Sequence, residues 1–331
     1  MARRVAISPA LRNITRYFVY LLAIIFISFA LPRLIPGNPL SFMAGDYAKD
    51  VPSSVLQQFG AYYAPDLPFT QQFILYLRNL GKLDLGYSFY YKAPVAERIF
   101  GALKWTLLLS LPGLLISTGL AIWIGVRMGL AANDRGATLL LPLLATQAVP
   151  TFLMAALAQV LFGYKLRLFP ASGACTPGIT ASSPGYALDV LKHLLLPLIV
   201  LVISEVPSTA ILSYNSTLRV RKEQYVSFAK YLGISEDDVR QQFVIKNILP
   251  EILGKLSMQT ILCVTGSLFV EAVFSYPGLG TLLKQATSYR DYPLMQGILL
   301  VSCLYGVCIS AIFESILNTH TRTDYRRKPN E

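Results

Sequence analysis

The chain has 331 residues, of which 54% are apolar and only 14% charged, and its mean hydropathy is +0.50. Soluble domains carry about 25% charged residues, so water is excluded as the surroundings of much of this surface. The formal net charge is +11, but Lys and Arg sit between apolar runs and at the two ends, without the basic–aromatic stripe of a nucleic-acid binder.

The four cysteines, Cys175, Cys263, Cys303 and Cys308, show no CxxC or Cys/His spacing, which argues against a metal site. The last three lie in apolar segments and read as small buried hydrophobes.

A membrane-crossing helix needs about 20 mostly apolar residues. The first such run is 17–35, preceded by Arg3, Arg4, Arg12 and Arg16. Ser28-Phe29-Ala30 resembles a signal-peptide cleavage site, but retaining the run gives an even number of spans, so it reads as a signal anchor. Further spans are expected near 102–130, 138–163, 193–214, 255–275 and 296–317. The fold class is therefore all-α: a polytopic membrane protein with about six transmembrane helices. The expected plan is a basic N-terminus 1–16, a first helix 17–35, an extracytoplasmic loop 36–101, a five-span core 102–317 with a cytoplasmic segment at 215–252, and a tail 318–331.

Basic residues cluster in the N-terminus, in the stretch between spans four and five (Arg219, Arg221, Lys222, Lys230, Arg240, Lys246) and in the tail (Arg322, Arg326, Arg327, Lys328). Six spans put all three on one side, which the positive-inside rule makes the cytoplasm. The loop 36–101 is rich in aromatics such as Tyr62, Phe69, Phe73, Tyr76, Tyr90 and Tyr91. Headgroup anchoring and a landing surface for another protein both fit them. Pro112, Pro142, Pro150, Pro197 and Pro207 are expected to bend the spans.

The most informative stretch is 222–250, KEQYVSFAKYLGISEDDVRQQFVIKNILP. Tyr225, Phe228, Ala229 and Leu232 recur at helical spacing and make one face apolar. Gly233 stands where a helix ends in a left-handed residue. Ser235 is an N-cap, with Asp238 three residues on in a capping-box pattern. Glu236, Asp237 and Asp238 then face the positive end of a second helix, with Arg240 and Lys246 toward its negative end. Pro250 is expected to stop it. The pattern specifies helix, glycine elbow and helix. Its apolar face packs either on the chain's own membrane domain or on a separate cytoplasmic protein.

These residues resemble a known family. Tyr225-Val226, Ala229-Lys230, Gly233-Ile234-Ser235, Val239, Lys246-Asn247 and Leu249-Pro250 are similar to the EAA loop of ABC importer permeases, in particular the first permease subunit of the dipeptide, oligopeptide and nickel class. Further blocks fit in order: LPRLIPGNP (31–39), LGKLDLGYSF (80–89), APVAERI (93–99), AVPTF (148–152), LRLFPASG (166–173), LKHLLLP (191–197), VEAVFSYPGLGTLL (270–283) and RDYPLMQG (290–297). Where span four exits, SYNST (213–217) replaces the family's frequent basic residue, and Val226-Ser227-Phe228 stands for the loop's opening Glu-Ala-Ala.

The resemblance implies a MetI-like core plus an N-terminal span. It also implies a second homologous permease subunit, two ATP-binding subunits carrying ATP and Mg, and an extracytoplasmic substrate-binding protein, in a bacterial inner membrane. The coupling residues would be Tyr225, Phe228, Ala229, Lys230, Gly233, Ser235, Asp238 and Arg240. The cargo implied is peptide, with nickel chelates or another small solute as the alternative. No G-x-x-x-x-G-K-[ST] occurs, so no P-loop is expected to cradle nucleotide here, and no cofactor or metal is expected on this chain. Membrane lipid is a partner; nucleic acid is not.

Intramembrane ionisable residues default to functional candidates. Glu205, in span four beside Pro207, is the best of them, with Gln147 as a second pathway candidate. Glu271 is expected to anchor the outer turn made by Pro277, Gly278 and Gly280 rather than to touch cargo. Arg33 is expected to snorkel to headgroups. A self-sufficient secondary transporter or channel would show inverted repeats, which are not evident. A membrane enzyme would need convergent groups, yet His193 and His320 lie at opposite ends of different segments.

Overall fold

The computed structural model describes residues 9–34, 66–131 and 138–326, with isolated positions between 57 and 64. In chain order the helices are α1 (Pro9–Leu34), α2 (Phe69–Leu80), α3 (Val95–Leu130), α4 (Leu140–Ala148), α5 (Thr151–Ala158), α6 (Tyr186–Arg221), α7 (Gln224–Tyr231), α8 (Glu236–Asp238), α9 (Lys246–Phe274), α10 (Leu279–Ser288) and α11 (Tyr292–Arg326). π-helical segments Gln159–Lys165 and Val239–Ile245 continue α5 and α8. Among the described residues the only strands are β1 (Tyr87–Ser88) and β2 (Ala93–Pro94), an antiparallel pair.

Among the described residues three helices are individually long and apolar enough to cross a membrane: α3, α6 and Tyr292–Ser315 of α11. The expected third span is corrected. It is not one helix over 138–163 but the pair Leu140–Ala148 and Thr151–Lys165, bent by 90°. The residue before a proline is pushed out of the helical region, and Val149 is extended at φ −85°, ψ 122°. Pro150 then starts the next helix, its carbonyl accepting from Leu153 N at 3.0 Å and Met154 N at 3.1 Å. Pro112, Pro197 and Pro207, by contrast, sit inside continuous helices.

The chain divides into two compact units, Met1–Lys104 with Thr281–Ala311, and Trp105–Gly280 with Ile312–Glu331. In the first, Phe29 is fully buried among Tyr62, Tyr76, Phe73 and Leu80. Arg33 does not simply reach for headgroups. Its Nε donates to Gln72 Oε1 at 2.8 Å and its Nη1 to the Phe29 carbonyl at 2.9 Å, with the guanidinium 3.9 Å from the Phe29 ring. Buried Asp291 ties the strand pair to the start of α11. It accepts from Ser88 Oγ at 2.6 Å, Tyr90 N at 3.2 Å and Leu294 N at 3.3 Å.

In the second unit α3 and α6 cross at close range. Lipid offers no hydrophobic drive to helix pairing, so small residues that admit a near backbone decide where helices meet. Gly125 and Gly129 form such a pair. A Cβ on Gly125 would stand 2.4 Å from the Ala210 carbonyl oxygen, and one on Gly129 would stand 2.5 Å from Thr217 Cγ2. The hydroxyls buried at the crossing bond within α6, Ser213 to the Thr209 carbonyl (2.8 Å) and Thr217 to the Ser213 carbonyl (2.7 Å). Leu109, Leu196, Val200, Val270, Phe274 and Tyr276 fill a core toward the other end. Cys303 and Cys308 are exposed on α11 rather than buried, which corrects their reading as core residues. The side chain of Cys263 lies outside the described ones.

Overpacking of this kind costs about 1–3 kcal/mol. Gly125→Leu is therefore expected to lower the thermal midpoint of the purified protein by several degrees. Gly119→Ala, whose Cβ would meet nothing within 4 Å, is expected to leave it unchanged in the same melting assay.

Candidate functional site

The segment between α6 and α9 folds as a helical hairpin. α7 ends as the sequence dictates: Gly233 takes φ +74°, and Ile234 N donates to the Ala229 carbonyl at 3.2 Å, the six-to-one bond of a Schellman cap. Ser235 then caps the next helix, its Oγ accepting from Asp238 N at 3.1 Å. The capping-box expectation is corrected in one detail. The Asp238 carboxylate accepts from the Ser235 hydroxyl at 2.7 Å rather than from the Ser235 backbone N–H. Asp237 pairs with Arg240 at 3.0 Å.

The second helix does not stop at Pro250. α8 runs through its π segment directly into α9, with Pro250 inside the helix. A proline within a helix removes one backbone bond, and that is too little to end a helix held by burial on both sides of it. Arg240 and Lys246 consequently stand near the start of a long helix and not at its negative end.

The expected apolar face is split in two. Val226 (1% exposed) and Ala229 (2%) are buried in a cluster with Val126, Val220, Val239, Val244, Ile248 and Ile252. Tyr225 (40%), Phe228 (63%), Tyr231 (90%) and Leu232 (64%) are exposed. Tyr225 stacks on Phe243 with centroids 6.4 Å apart, and partial burial, with Glu223 nearby, raises its hydroxyl pKa above the ordinary value. The Lys230 side chain lies outside the described ones. Sequence reasoning missed exposed Tyr231 and the burial of Val226; the signal was there in a helix with more apolar residues than one buried stripe can hold.

Two ties hold the helices around the base of the hairpin to one another. Arg221 Nη1 donates to the Gly129 and Ala131 carbonyls at 3.3 and 3.4 Å. Glu251 on α9 accepts from Ser216 Oγ at 2.7 Å and pairs with Arg219, both on α6.

Near the middle of α6, Glu205 is partly buried, and its Oε2 accepts from Gln259 Nε2 at 2.8 Å. Gln259 Oε1 in turn accepts from Thr209 Oγ1 at 3.0 Å. A cavity of about 10 Å³ beside this chain of bonds is lined by Ser110, Gly113, Leu114, Leu201, Glu205, Gln259 and Ser267, room for about one water. Gln147 is exposed near the end of α4.

At the far end of α9, Glu271 is fully buried. Its carboxylate accepts from Gly280 N at 2.7 Å and Ser267 Oγ at 3.0 Å, while Leu279 N donates to Thr106 Oγ1 at 2.8 Å. Glycine is required on this carboxylate: a Cβ on Gly278 would stand 2.3 Å from Glu271 Oε2, and one on Gly280 would stand 2.2 Å from the Leu268 carbonyl oxygen. Pro277 is exposed at the tip.

Residues 121–322 match the family described as binding-protein-dependent transport system inner membrane component. Similar proteins include a peptide transport system permease of Brucella abortus, 31% identical over 92% of this chain and 94% of that one. The di/tripeptide transport system permease DppB of Pseudomonas aeruginosa is 31% identical over 84% and 87%. The dipeptide permease DppB of Alkalihalophilus pseudofirmus is 27% identical over 89% and 93%. Matched along most of its length to transport system permeases, with its hairpin inside the matched region, this chain belongs to the family of binding-protein-dependent transport system inner membrane components, the permeases of ABC importers.

Proposed function

We propose that this chain forms half of the translocation pathway for di- or oligopeptides and is driven through residues 222–247 by separate ATP-binding subunits. The observation that carries the reading is the split face of α7. Val226 and Ala229 hold the hairpin down, while Tyr225, Phe228, Tyr231 and Leu232 stand out from it. Exposed aromatics on a rigid, capped mount are what a partner protein uses as anchors. The peptide cargo is supported by the printed names of the similar permeases.

In this reading the assembly holds a second homologous permease subunit, two ATP-binding subunits with ATP and Mg, and an extracytoplasmic binding protein. Hydrolysis belongs to the ATP-binding subunits. Both termini and the hairpin lie in the cytoplasm. Closure of the ATPases presses on α7, and the push passes into α6 and α9, alternately opening the pathway outward and inward. Glu205 and Gln147 belong to that pathway, and the Glu271 turn is structural.

Phe228→Asp is expected to cut peptide uptake and binding-protein-stimulated ATP hydrolysis at least about tenfold, the loss of one interface anchor, without lowering the melting temperature of the isolated chain. Val226→Asp, which buries an unpaired charge, is expected to destabilise the chain itself. Full transport by the Phe228→Asp complex in proteoliposomes refutes the docking role.

Position 233 separates backbone strain from space. A Cβ there meets nothing within 4 Å, but an L-residue held left-handed costs about 1–2 kcal/mol. Stability and coupled transport are expected to fall in the order Gly, Asn, Ala, Val, read by melting and by uptake in the same preparations.

A further inference from the structure

We infer that α2 is an interfacial helix, seated in lipid at the membrane–water boundary where α1 ends, and not part of a water-soluble loop domain. Projected at about 100° per residue, its residues Tyr76, Phe69, Leu80, Phe73, Leu77 and Ile74 cover an arc of about 160°, broken only by Thr70. Arg78, Gln71, Asn79 and Gln72 lie on the remainder, together with Leu75.

Only one edge of that arc is used inside the protein. Tyr76 is 2% exposed, and its hydroxyl meets Ser28 Oγ at 3.2 Å. Phe73 lies 5.7 Å from Phe26 and 5.0 Å from Phe29, and Phe69 lies 5.1 Å from Phe29. The other edge is bare: Ile74 is 65% exposed and Leu77 40%.

Lipid is the occupant that fits, because this bare edge continues a surface already facing it. The residues of α1 that α2 touches, from Ile25 to Arg33, are the last turns of an apolar helix whose own outward side shows Leu22, Ile27 and Leu31 at 41–56% exposure. A helix fastened alongside those turns lies at the level where acyl chains give way to headgroups. An amphipathic helix in that position buries its apolar face about 5–10 Å into the boundary. The Arg33–Gln72 bond sits on the polar border of the arc, where water and headgroups begin.

The test uses the full chain in nanodiscs whose lipid carries brominated acyl chains, a short-range quencher. Ile74→Trp and Gln71→Trp each add one tryptophan to the native Trp105 and Trp123. The tryptophan at 74 is expected to be blue-shifted and quenched at least about twofold more than the one at 71, as burial of one face requires. Equal quenching at the two positions overturns the inference. So does a tryptophan at 74 that stays water-like until an extracytoplasmic binding protein is added, since that outcome makes the bare edge a protein-docking surface. Both sites are surface positions, and a monodisperse elution profile confirms that each variant is folded.

Discussion

The structure depends most on a patch of small, branched side chains beneath the hairpin. Val226 and Ala229 from α7 meet Val239, Val244, Ile248 and Ile252 from the second arm, over Val126 from α3 and Val220 from α6. Branched residues have few rotamers to lose, so the patch is stiff for its size. It turns a short amphipathic segment into a fixed mount. Without it the Schellman cap at Gly233 and the Ser235 cap would order only their own turns, since isolated short helices are marginal in water. With it, the aromatic side chains above are presented in one geometry.

Much of this was legible in the sequence because the signals are local. Gly233 and Ser235, two residues apart, leave few alternatives to an elbow followed by a capped helix, and the apolar runs set where most of the long helices lie. The errors share one cause: each came from reading a residue without its neighbours. Pro250 looked like a stop, but the helix around it is held on both arms. Pro150 looked like one more kink among five, yet there alone the chain leaves the helix and turns by 90°. The apolar face of α7 was read as one surface, and it is two. Which of its residues are buried depends on Val220 at the end of α6 and on Val126 of α3, far away in sequence. The expected buried cysteines of α11 fail similarly, since an apolar helix in a membrane turns as much apolar surface outward as inward.

Several polar groups within the apolar region are bonded inside the protein. The hydroxyls of Ser213 and Thr217 bond back to their own helix, Glu205 meets Gln259, and the carboxylate of Glu271 is consumed by the turn that follows it. Unsatisfied polar groups are expensive in hydrocarbon. The sequence therefore spends glycines at 278 and 280, where a side chain would displace Glu271 or its backbone neighbours. The same economy explains Gly125 and Gly129, where two backbones must approach.

Because α8, its π segment and α9 run on without a break, Ser235 and Glu271 belong to a single rod. At about 1.5 Å per residue, residues 236–274 extend roughly 58 Å, with the aromatic-bearing elbow at one end and the glycine turn at the other. A rod of that length swung by about 5° at one end carries the other end about 5 Å. The two ends are thus joined through one helix, whose regular ladder is altered at two places, Val239–Ile245, where it is widened, and Pro250, where one rung is missing.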